Sequence, residues 1–196
     1  MTTLPSLLEA PVLLLAMPQV LDPYFHKSVV LLIHHDEEGS FGFIINRPTG
    51  IRVAEILGGM EIPWSGDPAA VTFFGGPVQP QLGSVLCPGL PPEVPAEDFA
   101  GVELAPGVTV TQHVGDLQML ADAAPLDFRL ILGYAGWGNG QLIDEIQRND
   151  WLIAPPSHEL IFRTDSEALW EAALRSVGVD PVALPAWSRP GSGDAN

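Results

Sequence analysis

Two mainly apolar runs, Ser28-Val29-Val30-Leu31-Leu32-Ile33-His34-His35 and Phe41-Gly42-Phe43-Ile44-Ile45-Asn46, are separated only by Asp36-Glu37-Glu38-Gly39-Ser40. The first run has the composition and length of a central strand. The polar tip carries Gly39 where a tight turn needs positive φ. A hairpin over residues 28–46 is therefore expected, and the rest of the chain has to be built around it.

The remaining segments are short and heavily punctuated. Leu13–Met17, bounded by Pro11 and Pro18, reads as a buried strand. Arg47-Pro48-Thr49 ends the hairpin, and Ile51–Leu57 is expected as a short helix with Val53, Ile56 and Leu57 inward, stopped by Gly58-Gly59. Val71–Phe74 and Ser84–Cys87 read as strands, Pro88–Pro95 as a surface loop, and Val102–Leu104 and Val108–Thr111 as short strands. Asp116–Ala123 is helical in pattern. Phe128–Leu132 is a strand, followed by the glycine-dense Gly133–Gly140 and a helix over Gln141–Arg148. On that helix Leu142, Ile143 and Ile146 are expected to face in, and Asp144, Glu145 and Arg148 out. Trp151–Ala154 is an expected edge strand and Leu160–Arg163 an extended segment. Asp165–Val177 is an expected helix, capped by Thr164 or Asp165 and ended by Gly178. Strands and helices mix without βαβ alternation, so the fold class is α+β. One domain over residues 1–185 is expected, with 186–196 a flexible tail.

Charge narrows the function classes. Eight Lys+Arg stand against 24 Asp+Glu, a formal net charge of −16. Phosphate backbones are bound by displacing counterions with basic side chains, and here Lys27 and the arginines are scattered without a stripe. No direct nucleic-acid partner and no anionic membrane partner is expected. A lone Cys87 excludes an internal disulfide, and no basic residue precedes Lys27 to start a secretory leader. The expected location is cytoplasmic.

Chemistry-bearing patterns are incomplete. A strand, a glycine-rich turn and a helix can cradle phosphate on free amides. Here a dinucleotide fingerprint begun at Gly136 would meet Gln141 where glycine belongs, and no Lys-Ser/Thr follows for a P-loop. The competing reading is that these glycines let backbone pass close to another element while Tyr134 and Trp137 pack. His34-His35-Asp36-Glu37-Glu38 has metal-ligand residue types, but adjacent histidines on a strand point to opposite faces, so no metal site is expected. Cys87 and Ser65 lack a nucleophile motif. No cofactor is implied.

Taken together, Leu14-Leu15-Ala16-Met17-Pro18, Asp22-Pro23-Tyr24-Phe25, Gly39–Pro48, Gly75-Gly76-Pro77-Val78 and Gly133–Leu142, with Glu145, Asn149 and Trp151, resemble the AlgH/YqgE family. The likeness runs in order over about residues 10–180. It implies a compact, folded-over, barrel-like and mainly antiparallel sheet with flanking helices. It also implies a bacterial cytoplasmic protein linked by name to regulation of alginate synthesis. His34, Cys87 and Ile143 depart from the family's usual acidic, histidine and glutamate residues.

The shared polar residues Asn46, Arg47, Gln141 and Glu145 sit at ends of apolar elements, as buried hydrogen-bond struts or as the lining of a pocket. Arg47 is expected to be able to pair with Glu145 or Asp144. With Gly75, Gly76, Gly136 and Gly138 they form the candidate ligand-binding set. The expected function is regulatory contact with an unknown protein or small-molecule partner. The alternative is an enzyme or small-anion binder with a pocket near 46–47, 75–78 and 136–141.

Overall fold

A computed structural model describes residues 8–89 and 95–185. Strand β1 (Val12–Ala16) pairs antiparallel with β2 (Val29–His35) on one side and with the edge strand β10 (Trp151–Ala154) on the other. β2 pairs with β3 (Gly39–Ile44), closing the hairpin around Asp36, whose backbone N–H donates to the Gly39 carbonyl. The sheet continues β9 (Arg129–Gly138), β6 (Val78–Cys87), β8 (Val108–Thr111) and β7 (Val102–Ala105). Among the described residues two further strands, β4 (Pro48–Arg52) and β5 (Val71–Phe74), lie off this path, and only β5 pairs parallel, with β9. The result is a single α+β domain with a curled antiparallel half-barrel.

Both faces of β1 and β2 are covered, which is why their sequences are continuously apolar instead of alternating. Leu13, Leu15, Val29, Leu31, Phe43, Ile131, Leu86 and Val108 join one cluster running from β1 round to β8, so this is the inner face of the curl. Leu14, Ala16, Val30, Leu32 and Ile44 point to the outer face, covered by Leu142 of α3 (Gln141–Gln147). Farther round, α1 (Val53–Gly59) and α2 (Val114–Ala123) bury Leu57, Leu117 and Leu120 against Val85, Cys87 and Leu130. The amphipathic α4 (Leu169–Ser176) closes one end of the inner face with Leu169, Trp170, Ala173 and Leu174. Each large aliphatic fully buried here contributes about 2 kcal/mol of transfer free energy. No helix among the described residues is long and apolar enough to cross a membrane.

The curl depends on β9. Its first half lies between β5 and β6, its second half beside β3. Between them Gly133 takes φ +72°, bending the strand. The crossing of 75–76 over 133–135 leaves no space for side chains. A Cβ on Gly75 would lie 2.3 Å from the Gly133 carbonyl oxygen, and one on Gly133 would lie 2.5 Å from that of Gly76. The glycine-dense segment is thus strand as far as Gly138, not a turn, and only Asn139-Gly140 separates it from α3.

Other expectations need correcting. Residues 48–52 are extended, because Thr49 and Thr72 share a hydroxyl hydrogen bond across β4 and β5, and the helix begins at Val53. β6 begins at Val78, not Ser84, with its register shifted between Val78 and Gly83. Glu159–Arg163 is one π-helical turn, not extended. That wide turn brings His158 Nε2 and Arg163 Nη2, five residues apart, both to 2.9 Å from Asp127 Oδ2. α4 starts only at Leu169, with Ala168 at its N-cap and no side-chain cap, because residues 165–168 form a separate turn. The 186–196 tail and much of the Pro88–Pro95 loop lie outside the described residues.

Gly133→Ala should lower stability in urea unfolding by about 2–4 kcal/mol, the combined scale of a strained left-handed residue and an overpacked contact. Gly58→Ala, where a Cβ meets open space on α1, should leave stability unchanged or raise it by ~0.5–1 kcal/mol.

Candidate functional site

The end of the half-barrel opposite α4 is open. Ile33, Leu104, Val110 and Tyr134 pack on the inner cluster but are only partly buried. Phe41 adds edge-on contacts to Phe43 and Tyr134, with ring centroids 6.5 and 6.1 Å apart. A cavity of about 620 Å³ opens here, walled by Phe41, Phe43 and Tyr134 and rimmed by His34, Gln79 and Gln112. A second lobe of about 350 Å³ adjoins it, sharing His34, Phe41, Phe43 and Gln112 and continuing along Leu104 and Val110.

A β-bulge turns His34 into this mouth. Leu32 faces Gly42 and His34 faces Phe41, so β2 carries one extra residue, Ile33. Ile33 and the half-exposed His34 consequently both border the same cavity, where simple alternation would send them to opposite faces. His35 is left on the other face, with Nδ1 2.7 Å from Ser40 Oγ. His34 Nε2 lies 2.8 Å from Asp36 Oδ2, and Asp36 Oδ1 accepts the backbone N–H groups of Glu38 and Gly39. The His34 hydrogen bond and then the Glu38 amide hold the Asp36 carboxyl below its ordinary pKa. Gln112 is braced by donating to Ser84 Oγ at 2.8 Å, and Gln79 holds a left-handed φ of 45° at the rim.

The candidate residues divide into separate places. Asn46 is buried at the end of β3, accepting from Val29 N–H and donating to the Lys27 carbonyl, both at 2.9 Å. Arg47 donates to the His26 carbonyl, not to Glu145 or Asp144, and burial lowers its pKa. Gly75 and Gly76 lie in the backbone crossing. On the outer face, Gly138 N–H donates to Gln141 Oε1, Gln141 Nε2 donates to Glu145 Oε1, and Glu145 Oε2 accepts from the Trp137 and Trp151 indoles at 2.9 and 2.8 Å. Glu145 therefore faces in, contrary to the helix-face expectation: two indole N–H groups packed under α3 need a common acceptor. Gly136 borders both the mouth and a recess of about 310 Å³ beside this network.

Two buried groups away from the mouth have shifted acidities. Burial pushes the Cys87 thiol up, away from thiolate. Burial also lowers Arg129 to about 10, partly offset by Asp127, while its guanidinium donates to the Ile45 carbonyl. Among the described residues no three His, Cys, Asp or Glu converge as metal ligands. The mouth itself is hard to find from sequence. Phe41 and Phe43 alternate inward, which is legible, but the bulge that selects His34 is not.

The AlgH-like family model, DUF179, matches residues 13–182. The chain belongs to the AlgH-like family. A UPF0301 protein of Ruegeria pomeroyi is 38% identical over 181 residues, covering 89% of this chain and 94% of the relative. One from Magnetococcus marinus is 34% identical over 173 residues, covering 87% and 90%. The solution structure of AlgH from Pseudomonas aeruginosa superposes with a TM-score of 0.71 at 31% identity, over 92% of this chain and 99% of that one. A crystal structure of a Corynebacterium diphtheriae protein gives 0.69 at 26% identity, over 91% of each. These AlgH-like structures share the curled sheet described above.

Two outcomes follow for this AlgH-like site. Glu145→Ala strands two indole donors and should cost about 2 kcal/mol with a shift in tryptophan emission, while Glu145→Gln, still an acceptor, costs less. In an NMR titration Asp36 should titrate below the ordinary aspartate range, and His34→Leu should bring it back up. Because the folded carboxyl is the stronger acid, its support of the hairpin is complete above the ordinary aspartate pKa and is lost as pH falls through the lowered one.

Proposed function

We propose that this chain binds a small molecule in the mouth of its half-barrel and acts through that contact, in a regulatory and not a catalytic role. The supporting observation is the cavity itself: about 620 Å³, walled by aromatic rings with a few convergent polar groups, at the unplugged end of a rigid sheet. Small-molecule sites have this size, roughly 300–1,000 Å³, and this mixture of lining. Binding is favoured over turnover because the His34–Asp36 pair is part of the hairpin's own structure, with both carboxylate oxygens already engaged. The strong acidity of the chain supports a partner other than nucleic acid. The cytoplasm is the compartment this reading assumes.

A pocket spanning Asn46, Arg47, the 75–78 segment and 136–141 has less support. Asn46 and Arg47 direct their hydrogen bonds to backbone at 26–29, and Gly75 and Gly76 pack against β9.

Leu82 also lines the cavity, and native mass spectrometry of protein taken from its host should show a retained small molecule that is displaced in Leu82→Trp, where the larger side chain narrows the space. Absence of any retained mass, together with no amide shift at Phe41, Gln112 or Tyr134 across a metabolite library, would overturn the proposal.

A further inference from the structure

Resting on the mouth as the binding site, we infer that its ligand is an elongated amphiphile with a cationic ammonium head and an apolar tail. The two lobes differ in character and meet at His34, Phe41, Phe43 and Gln112. The larger is lined by the acidic residues Asp36 and Glu38 of the hairpin tip, and among the described residues neither lobe is lined by a lysine or arginine. A carboxylate or phosphate head placed there would meet like charge with no counterion. A quaternary ammonium group, which needs no hydrogen bond, is attracted by the negative charge of this acidic rim and by the rings of Phe41 and Tyr134, whose π faces attract cations.

The smaller lobe sets the tail. Beyond the shared residues its wall is Ile33, Ala100, Val102, Leu104, Val110 and Thr111, and only the threonine hydroxyl is polar. That hydroxyl is already engaged, donating to the buried carboxylate of Asp116. Val102, which also lines this lobe, is 60% exposed on the edge strand β7, an uncovered apolar side chain. A chain leaving the head between Asp36 and Glu38 thus passes the His34–Phe41 ring contact, with centroids 5.8 Å apart, and runs toward Leu104 and Val102. Burial of a linear tail there gains affinity roughly three- to fourfold per methylene until the lobe is filled.

The probes are decyltrimethylammonium, decanol and decanoate, titrated below their aggregation limits into the full chain by calorimetry and amide-shift mapping. The ammonium probe should bind tightest, shifting Glu38 and Gly39 with its head and Val102, Leu104 and Val110 with its tail. Glu38→Lys, at an exposed hairpin-tip position, should weaken the ammonium probe about fivefold or more and strengthen decanoate, leaving decanol unchanged. Equal or tighter binding of decanol or decanoate to the unaltered chain overturns the head-group assignment while the mouth remains the site. Failure of all three to shift any mouth residue overturns both this inference and the proposed site.

Discussion

The backbone crossing at Gly75–Gly76 and Gly133 is the constraint on which the rest of the architecture depends. β9 has to serve β5 and β6 with its first half and β3 with its second. It can do so only by bending where another backbone passes within contact distance, and a side chain on either strand would force them apart. The bend converts what would be a flat sheet into a curl with an inside. Without an inside there is neither the long hydrophobic cluster from β1 to β8 nor a mouth.

Closure at one end gives the curl its polarity. α4 buries Trp170 and Leu174 into the inner cluster, and the Trp170 indole donates to the Ala16 carbonyl at 2.8 Å, tying the plug to β1. At the other end no described helix covers Phe41 and Tyr134, and the polar groups that gather there come from the hairpin tip, from β6 and from the end of β8. The outer-face network around Glu145 plays a different part, holding α3 and the two tryptophans to the sheet.

Much of this is legible in sequence, for identifiable reasons. The 28–46 hairpin, β1, β5 and the edge strand β10 are written in local apolar runs bounded by turn residues, so local physics suffices. The glycines before Gln141 signal either a turn or a close backbone approach, and the second of these readings holds: the partner segment at 75–76 passes directly over Gly133. The π-helical turn at 159–163 is likewise tertiary: Asp127, more than thirty residues earlier, selects it. Of the candidate residues, Gln141 and Glu145 are found together but Asn46 and Arg47 are elsewhere, since spacing along a chain says nothing about which loop a polar group will satisfy. The mouth is hidden for the same reason, its wall being drawn from strands distant in sequence.

The extra residue in β2 has a consequence for how relatives of this chain are aligned. Strand faces alternate by counting, so one residue more or fewer between Leu32 and Phe41 decides which of two neighbouring imidazoles borders the mouth and which lies on the opposite face. A one-residue gap placed in that stretch is therefore a change in the chemistry of the cavity rim even where every letter of the hairpin is kept.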